Sequence, residues 1–238
     1  MSISNVPDYE LYYWSVPFRG QFVRAILACA GKTWVEADDA SILKLMSGPI
    51  EDMPVPFMGP QILVDKKTRF AIAEMPAIVL YLGETLGLMP ATPELRAMTM
   101  KIVNDANDVI DEITLDGGRQ MWTEKRWKEF IPRLQKWMLL WEEVGNRHGM
   151  QANSGFLLGG EALGIADIVT ATLWSTLAGH FPKIKKLLEK TAPMTANLSR
   201  RVSALPPLVE LAAKASEDYG DAYCGGKIGA SMKKIIGA

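Results

Sequence analysis

Between Tyr9 and Ala37 the spacing of apolar residues switches from strand to helix and back to strand. Residues 9–14 alternate, with Leu11 and Tyr13 on one face and Tyr12 and Trp14 on the other, which is strand periodicity. From Gly20 to Ala30 the residues Phe22, Val23, Ile26, Leu27 and Ala30 make one helical stripe, and Gly31 ends it. Thr33 to Ala37 then reads as a second strand. Two strands separated by a helix cannot form a hairpin. They predict a βαβ unit with a parallel strand pair.

The next segments extend this unit. Ala40 to Met46 reads as a short helix, and Ser47 to Pro60 holds Pro49, Pro54, Pro56 and Pro60, so it should be irregular. Ile62-Leu63-Val64 and Arg69 to Ile72 flank Asp65-Lys66-Lys67-Thr68 as a β-hairpin. Glu74 to Leu86 is helical, and Gly87 to Pro93 is a linker. Beyond it the periodic segments are all helical: Glu94–Leu115, Glu124–Arg147, Gly164–Gly179, Lys183–Thr191, Ala196–Ala204 and Leu208–Ser216. The expected architecture is an α/β domain over 1–87, an all-helical domain over 93–220 and a Gly/Lys-rich tail over 221–238.

Bulk properties exclude several function classes. A formal charge of -1 gives no field that favours nucleic acid or an anionic membrane. Ile165 to Phe181, the longest apolar helical stretch, carries Asp167 and His180 and is too short to span a bilayer. The first eight residues lack the basic start and apolar core of a signal peptide. Cys29 and Cys224 have no metal-ligand spacing, so no metal site is expected, and a cytoplasmic chain without disulfides is the economical reading.

The first segment, Tyr9 to Arg24, and the second, Gly59 to Asp65 followed by Ala73 to Leu82, together resemble the N-terminal half of a cytosolic glutathione transferase. Gly155 to Gly160 followed by Gly164-Ile165-Ala166-Asp167 is similar to the buried helix start of that family's second domain, with Gly164 where a hydroxyl residue is usual. The resemblance runs from residue 9 to about 210. It implies an N-terminal thioredoxin-like βαβαββα domain followed by an all-helical C-terminal domain. It also implies glutathione as co-substrate and conjugation of its thiolate to small hydrophobic electrophiles, which is detoxification chemistry.

The resemblance assigns roles to particular residues. Gly59 and Pro60 would present a backbone edge to the peptide, with the bond before Pro60 cis and Pro56 a weaker alternative. Glu74 would accept from the γ-glutamyl ammonium, and the Met75 N–H would meet its carboxylate; Met75 replaces the family's Ser or Thr, so one hydroxyl contact is missing. Tyr13 and Ser15 compete to donate to the thiolate, with Tyr13 the first choice, and Arg19 lies beside them. Asp108, chosen over Asn104 and Asp105, would reach the neighbouring subunit's glutathione in a homodimer. Ile110, Met121 and Trp122 would line the electrophile cleft. Asp167 is expected to cap a helix, and His148 and His180 to be structural.

Bland readings stand beside these. Tyr13 could simply pack under the sheet, Ser15 could cap a helix, and Glu74 could favour its helix dipole. No cysteine occupies Trp14 to Phe18, which argues against a disulfide exchanger. The alternatives are a transferase-like binding or scaffold protein without turnover, or a glutathione-dependent peroxidase or isomerase.

Overall fold

The computed structural model describes residues 6–237. Strands β1 (Tyr9–Tyr12), β2 (Trp34–Ala37), β3 (Ile62–Asp65) and β4 (Ala71–Ala73) form one sheet in the order β2-β1-β3-β4. β1 and β2 are parallel, joined through α1 (Gly20–Cys29); the other pairings are antiparallel. Two helices complete this half, α2 (Asp39–Ser47) and α3 (Met75–Thr85). Leu11, Phe22, Ile26, Leu63, Ile78 and Leu82 form its core, drawn from the central strands β1 and β3 and the apolar stripes of α1 and α3.

The hairpin turn is longer than the sequence pattern suggests. Asp65 accepts from the N–H groups of Lys67 and Thr68 (2.8 and 3.0 Å), and Arg69 takes a positive φ of 61°. This Asx-type turn uses up residues 66–70, so β4 begins two residues later than the expected Arg69. Asp65 also accepts from the Tyr81 hydroxyl at 2.7 Å, tying the hairpin to α3.

The remainder is helical: α4 (Pro93–Ile113), α5 (Leu115–Gly118), α6 (Glu124–Arg147), α7 (Ile165–His180), α8 (Pro182–Thr191), α9 (Pro193–Ser203), α10 (Pro206–Tyr219) and α11 (Gly226–Ile235). α7 is buried along most of its length and packs against α1, α4, α8 and α9. A helix apolar nearly all round is a central one. Asp167 opens it by accepting from the N–H groups of Gly164 (3.0 Å) and Leu157 (2.7 Å). No helix among the described residues is long and apolar enough to cross a membrane.

One expectation needs correction. Peptide bonds of the described residues are all trans, including the one before Pro60. Trans is the intrinsically preferred isomer by about 0.5–1 kcal/mol, and no described contact here reverses it. Within the Gly/Lys-rich tail α11 forms, a helix that the sequence reading did not name. Ile228, Met232 and Ile235 recur at helical spacing, and the glycines cluster mainly at its start. Lys183 Nζ donates to Ile235 O (2.7 Å) and the Trp122 N–H to Ser231 Oγ (2.7 Å), which returns the segment to the helical body.

Candidate active site

Strand register brings the expected site segments to one edge of the sheet. Tyr12 lies opposite Ile62, and Ile62 opposite Ala73. The end of β1, the start of β3 and the end of β4 therefore meet, each within about 5 Å of the next. Tyr13, Gln61 and Glu74 follow or precede these positions, and the Glu74 N–H donates to Gln61 O at 3.3 Å.

The β1–α1 loop is held from below. Arg24, in the middle of the apolar stripe of α1, is 2 % exposed. Its guanidinium donates from Nε and Nη2 to the two Glu36 carboxylate oxygens (2.8 and 2.6 Å) and from Nη1 to Val16 O and Pro17 O (2.9 and 3.3 Å). A planar fork suits such a two-sided clamp. A lone charged residue inside an apolar stripe was the sequence signal for it.

Tyr13 is 3 % exposed. Its ring lies where a Cβ on Gly20 would stand (2.2 Å), so only glycine allows α1 to start there. Its hydroxyl accepts from the Arg19 N–H at 3.1 Å. Burial pushes the phenol up to about 12, although the Arg19 and Arg24 charges and backbone N–H groups oppose this. The hydroxyl stays protonated and faces the start of α1.

Ser15 is exposed and lines a cleft of about 390 Å³ with Trp14, Phe18, Asp39, Thr114, Gly117 and Ile228. Its N–H and Oγ both donate to Asp39 Oδ1, each at 3.1 Å. Asp39 is the first residue of α2, and the Asp38 carboxylate caps that helix by accepting from the Ser41 N–H. Sequence reasoning missed Asp39; the acidic pair before the apolar residues of α2 was the available sign. α5 forms one wall as a single turn with positive φ at Leu115, Asp116, Gly117 and Gly118, and α11 closes the other side through Ile228.

Glu74 is exposed and has φ 72° and ψ 127°, a conformation costly for a residue with a Cβ. It stands at the N-cap of α3, while the Met75 side chain is buried (1 % exposed). Only the Met75 backbone is thus presented at the helix start. Gln61 is buried with both amide atoms unpartnered.

The other named residues have other surroundings. Arg19 donates from Nε to Asn107 Oδ1 (2.9 Å) and lies 3.5 Å from Asp111, joining the loop to α4. Asp108 is exposed one turn away, its carboxyl pushed up by burial and then by Asp105, Glu112 and Asp111. Ile110 and Trp122 are buried in the helical core, Trp122 donating to Ile113 O and packing on Trp127 and Phe130. Neither Met121 nor these two borders the Ser15 cleft. His148 and His180 each place Nδ1 against the carbonyl one helical turn back.

Residues 98–235 match the family model described as the C-terminal domain of glutathione S-transferase. The chain belongs to the glutathione S-transferase family. Members use glutathione as co-substrate. Solved structures of similar fold include the Pi-class glutathione S-transferase of Onchocerca volvulus, at 14 % identity over 92 % of this chain and 98 % of that one, with a TM-score of 0.73. The Ascaris lumbricoides enzyme gives 22 % identity, 88 % and 98 % coverage and a TM-score of 0.71. Na-GST-3 of Necator americanus, described as monomeric, gives 21 %, 87 %, 96 % and 0.70. None of the curated proteins is similar enough in sequence to count as a relative.

Proposed function

We propose that the chain conjugates glutathione to small hydrophobic electrophiles in the cleft beside Ser15. The observation carrying this is that Tyr12, Ile62 and Ala73 meet at one sheet edge, while Ser15, three residues beyond Tyr12, lines a cleft of about 390 Å³. The γ-glutamyl ammonium would sit at Glu74 and its carboxylate at the Met75 N–H. The peptide would run along Gly59 to Gln61 in extended form. Ser15 Oγ would turn from Asp39 and donate to the thiolate, lowering the thiol's pKa. The thiolate then attacks carbon, a C–S bond forms, and the leaving group departs with its electron pair. Tyr13 and Arg19 support this by fixing the loop.

A homodimer follows from the same reading. On this face of α4, Asp105, Asp111 and Glu112 pair with Lys101, Arg19 and Arg133, while Asp108 forms no ion pair among the described residues, and a glutathione ammonium from the partner subunit would supply one. Light scattering should give about twice the 26.3 kDa chain mass; a species of chain mass at micromolar concentration would contradict it. A cytoplasmic location is supported by two unpaired thiols, Cys29 and Cys224.

One observation favours a second reading, a glutathione-binding protein without turnover: the Ser15 hydroxyl donates to Asp39. Turnover of 1-chloro-2,4-dinitrobenzene, followed beside calorimetric binding of glutathione, separates the two. Binding with turnover lowered about 10–100-fold by Ser15→Ala supports conjugation. Binding with no turnover in the unaltered chain supports the second reading.

A further inference from the structure

The cleft beside Ser15 is charged on one side. Of the residues that line it, only Asp39 carries a charge; the rest are apolar, aromatic, small or hydroxyl-bearing, with Trp14, Phe18 and Ile228 the largest. The Cys224 thiol in the wall is pushed up to about 11 by burial and stays neutral.

Nothing in the chain offsets the Asp39 charge. Both hydrogen bonds that it accepts from Ser15 go to Oδ1. Its Oδ2 accepts from no group, and it forms no ion pair, among the described residues. The two cations of the β1–α1 segment are engaged elsewhere: Arg19 with Asn107 and Asp111, and Arg24 with Glu36. A carboxylate oxygen left open in a cleft with apolar walls attracts a positive group. A thiolate held by Ser15 Oγ would lie one hydrogen bond beyond Asp39 and add a second negative charge to the same space. An anionic substrate would then meet two like charges, and a cationic one two opposite charges.

We infer that Asp39 sets the substrate class of this cleft: electrophiles with an apolar body and a cationic group, such as a quaternary or protonated ammonium, close to the carbon that is attacked. The inference rests on the conjugation reading and narrows it. The apolar body packs on Trp14, Phe18 and Ile228, the cation meets Asp39 Oδ2, and the C–S bond forms between them. Asp39 is exposed, and an exposed ion pair is worth little, so the preference it gives should be only about fivefold.

Calorimetry with three glutathione thioethers tests this without requiring turnover. They are S-(2-trimethylammonioethyl)glutathione, its uncharged isostere S-(3,3-dimethylbutyl)glutathione, and the anionic S-(2-sulfoethyl)glutathione. The chain should bind the cationic thioether about fivefold more tightly than the isostere, and the anionic one most weakly. Added salt should shrink the gap. Asp39→Asn keeps an acceptor oxygen for Ser15 and removes the charge, so it should bring the cationic and uncharged thioethers within about twofold of each other. Equal binding of those two by the unaltered chain, a gap that salt leaves unchanged, or a preference that Asp39→Asn retains would each overturn the proposal and leave conjugation standing. Failure of all three thioethers to bind would remove the glutathione site itself, and the proposal with it.

Discussion

Asp39 Oδ1 accepts two hydrogen bonds from Ser15, one from the N–H and one from Oγ. The backbone bond sets where the loop turns, and the side-chain bond sets where the hydroxyl points. A carboxylate held this way positions a donor, but it also competes with any thiolate for that donor's proton.

Ser15→Ala should consequently lower kcat/KM by about 10–100-fold, one hydrogen bond to a charged group, with glutathione affinity little changed. The bound thiol should titrate near its free value of about 8.5. Tyr13→Phe should act differently. It removes an acceptor from the Arg19 N–H, so it should cost about 1 kcal/mol of stability with a smaller effect on the thiol. Thiolate absorbance of the bound complex against pH, run on both variants, checks the ranking. The reverse ranking would assign the chemistry to Tyr13.

Glu74 offers a test that separates binding from strain. Its φ of 72° disfavours any side chain, by about 1–3 kcal/mol. Glu74→Gly should relieve this, partly offset by glycine's greater freedom in the unfolded chain, so Tm should not fall. Glu74→Ala keeps the strain. Both lose the carboxylate, and both should weaken glutathione by about tenfold or more. Calorimetry on the pair decides it; wild-type affinity in both would leave Glu74 with no role in binding.

What the sequence disclosed and what it hid follow from range. The β1–α1 unit was legible because Leu11, Tyr13, Phe22 and Ile26 obey local periods. The Asp167 cap was legible because its Gly164 partner lies within one turn. The Ser15–Asp39 pair spans 24 residues and has no period to betray it. α11 was not read from the sequence, because glycines at 225, 226 and 229 interrupt the helical spacing of Ile228, Met232 and Ile235. The positive φ at Glu74 belongs to a residue type that rarely takes it, so no residue-level rule points there.

Acid should reveal Asp65. Burial pushes its carboxyl up, but the Thr68 and Lys67 N–H groups and the Tyr81 hydroxyl outweigh this and hold it below the usual value. The unfolded chain then binds more protons than the folded one across that interval. The stabilisation is present above the unfolded value of about 3.9 and is lost as pH falls through the lower folded value. Asp65→Asn removes the titrating group. Its Tm should start lower at neutral pH and decline less between about pH 5 and pH 2. Parallel Tm curves for the two proteins would show that Asp65 titrates alike in both states.

Arg24 and Glu36 give the sharpest energetic test. The Arg24 side chain is 2 % exposed and Glu36 is 26 % exposed, so removing Glu36 leaves a buried guanidinium with only carbonyl partners. Glu36→Met should cost about 3 kcal/mol on that account, and Arg24→Met a comparable amount, since it also frees Val16 O and Pro17 O. The double variant should be more stable than the sum of the two losses implies, by about 1–3 kcal/mol, because neither charge is then left behind. Arg24→Lys should rescue little: a single ammonium cannot bond Glu36 and the Val16 carbonyl in the planar fork that both now use. Urea unfolding of the four proteins gives the coupling. Additive losses would mean that the loop over Tyr13 is held by packing alone and that the ion pair adds nothing to it.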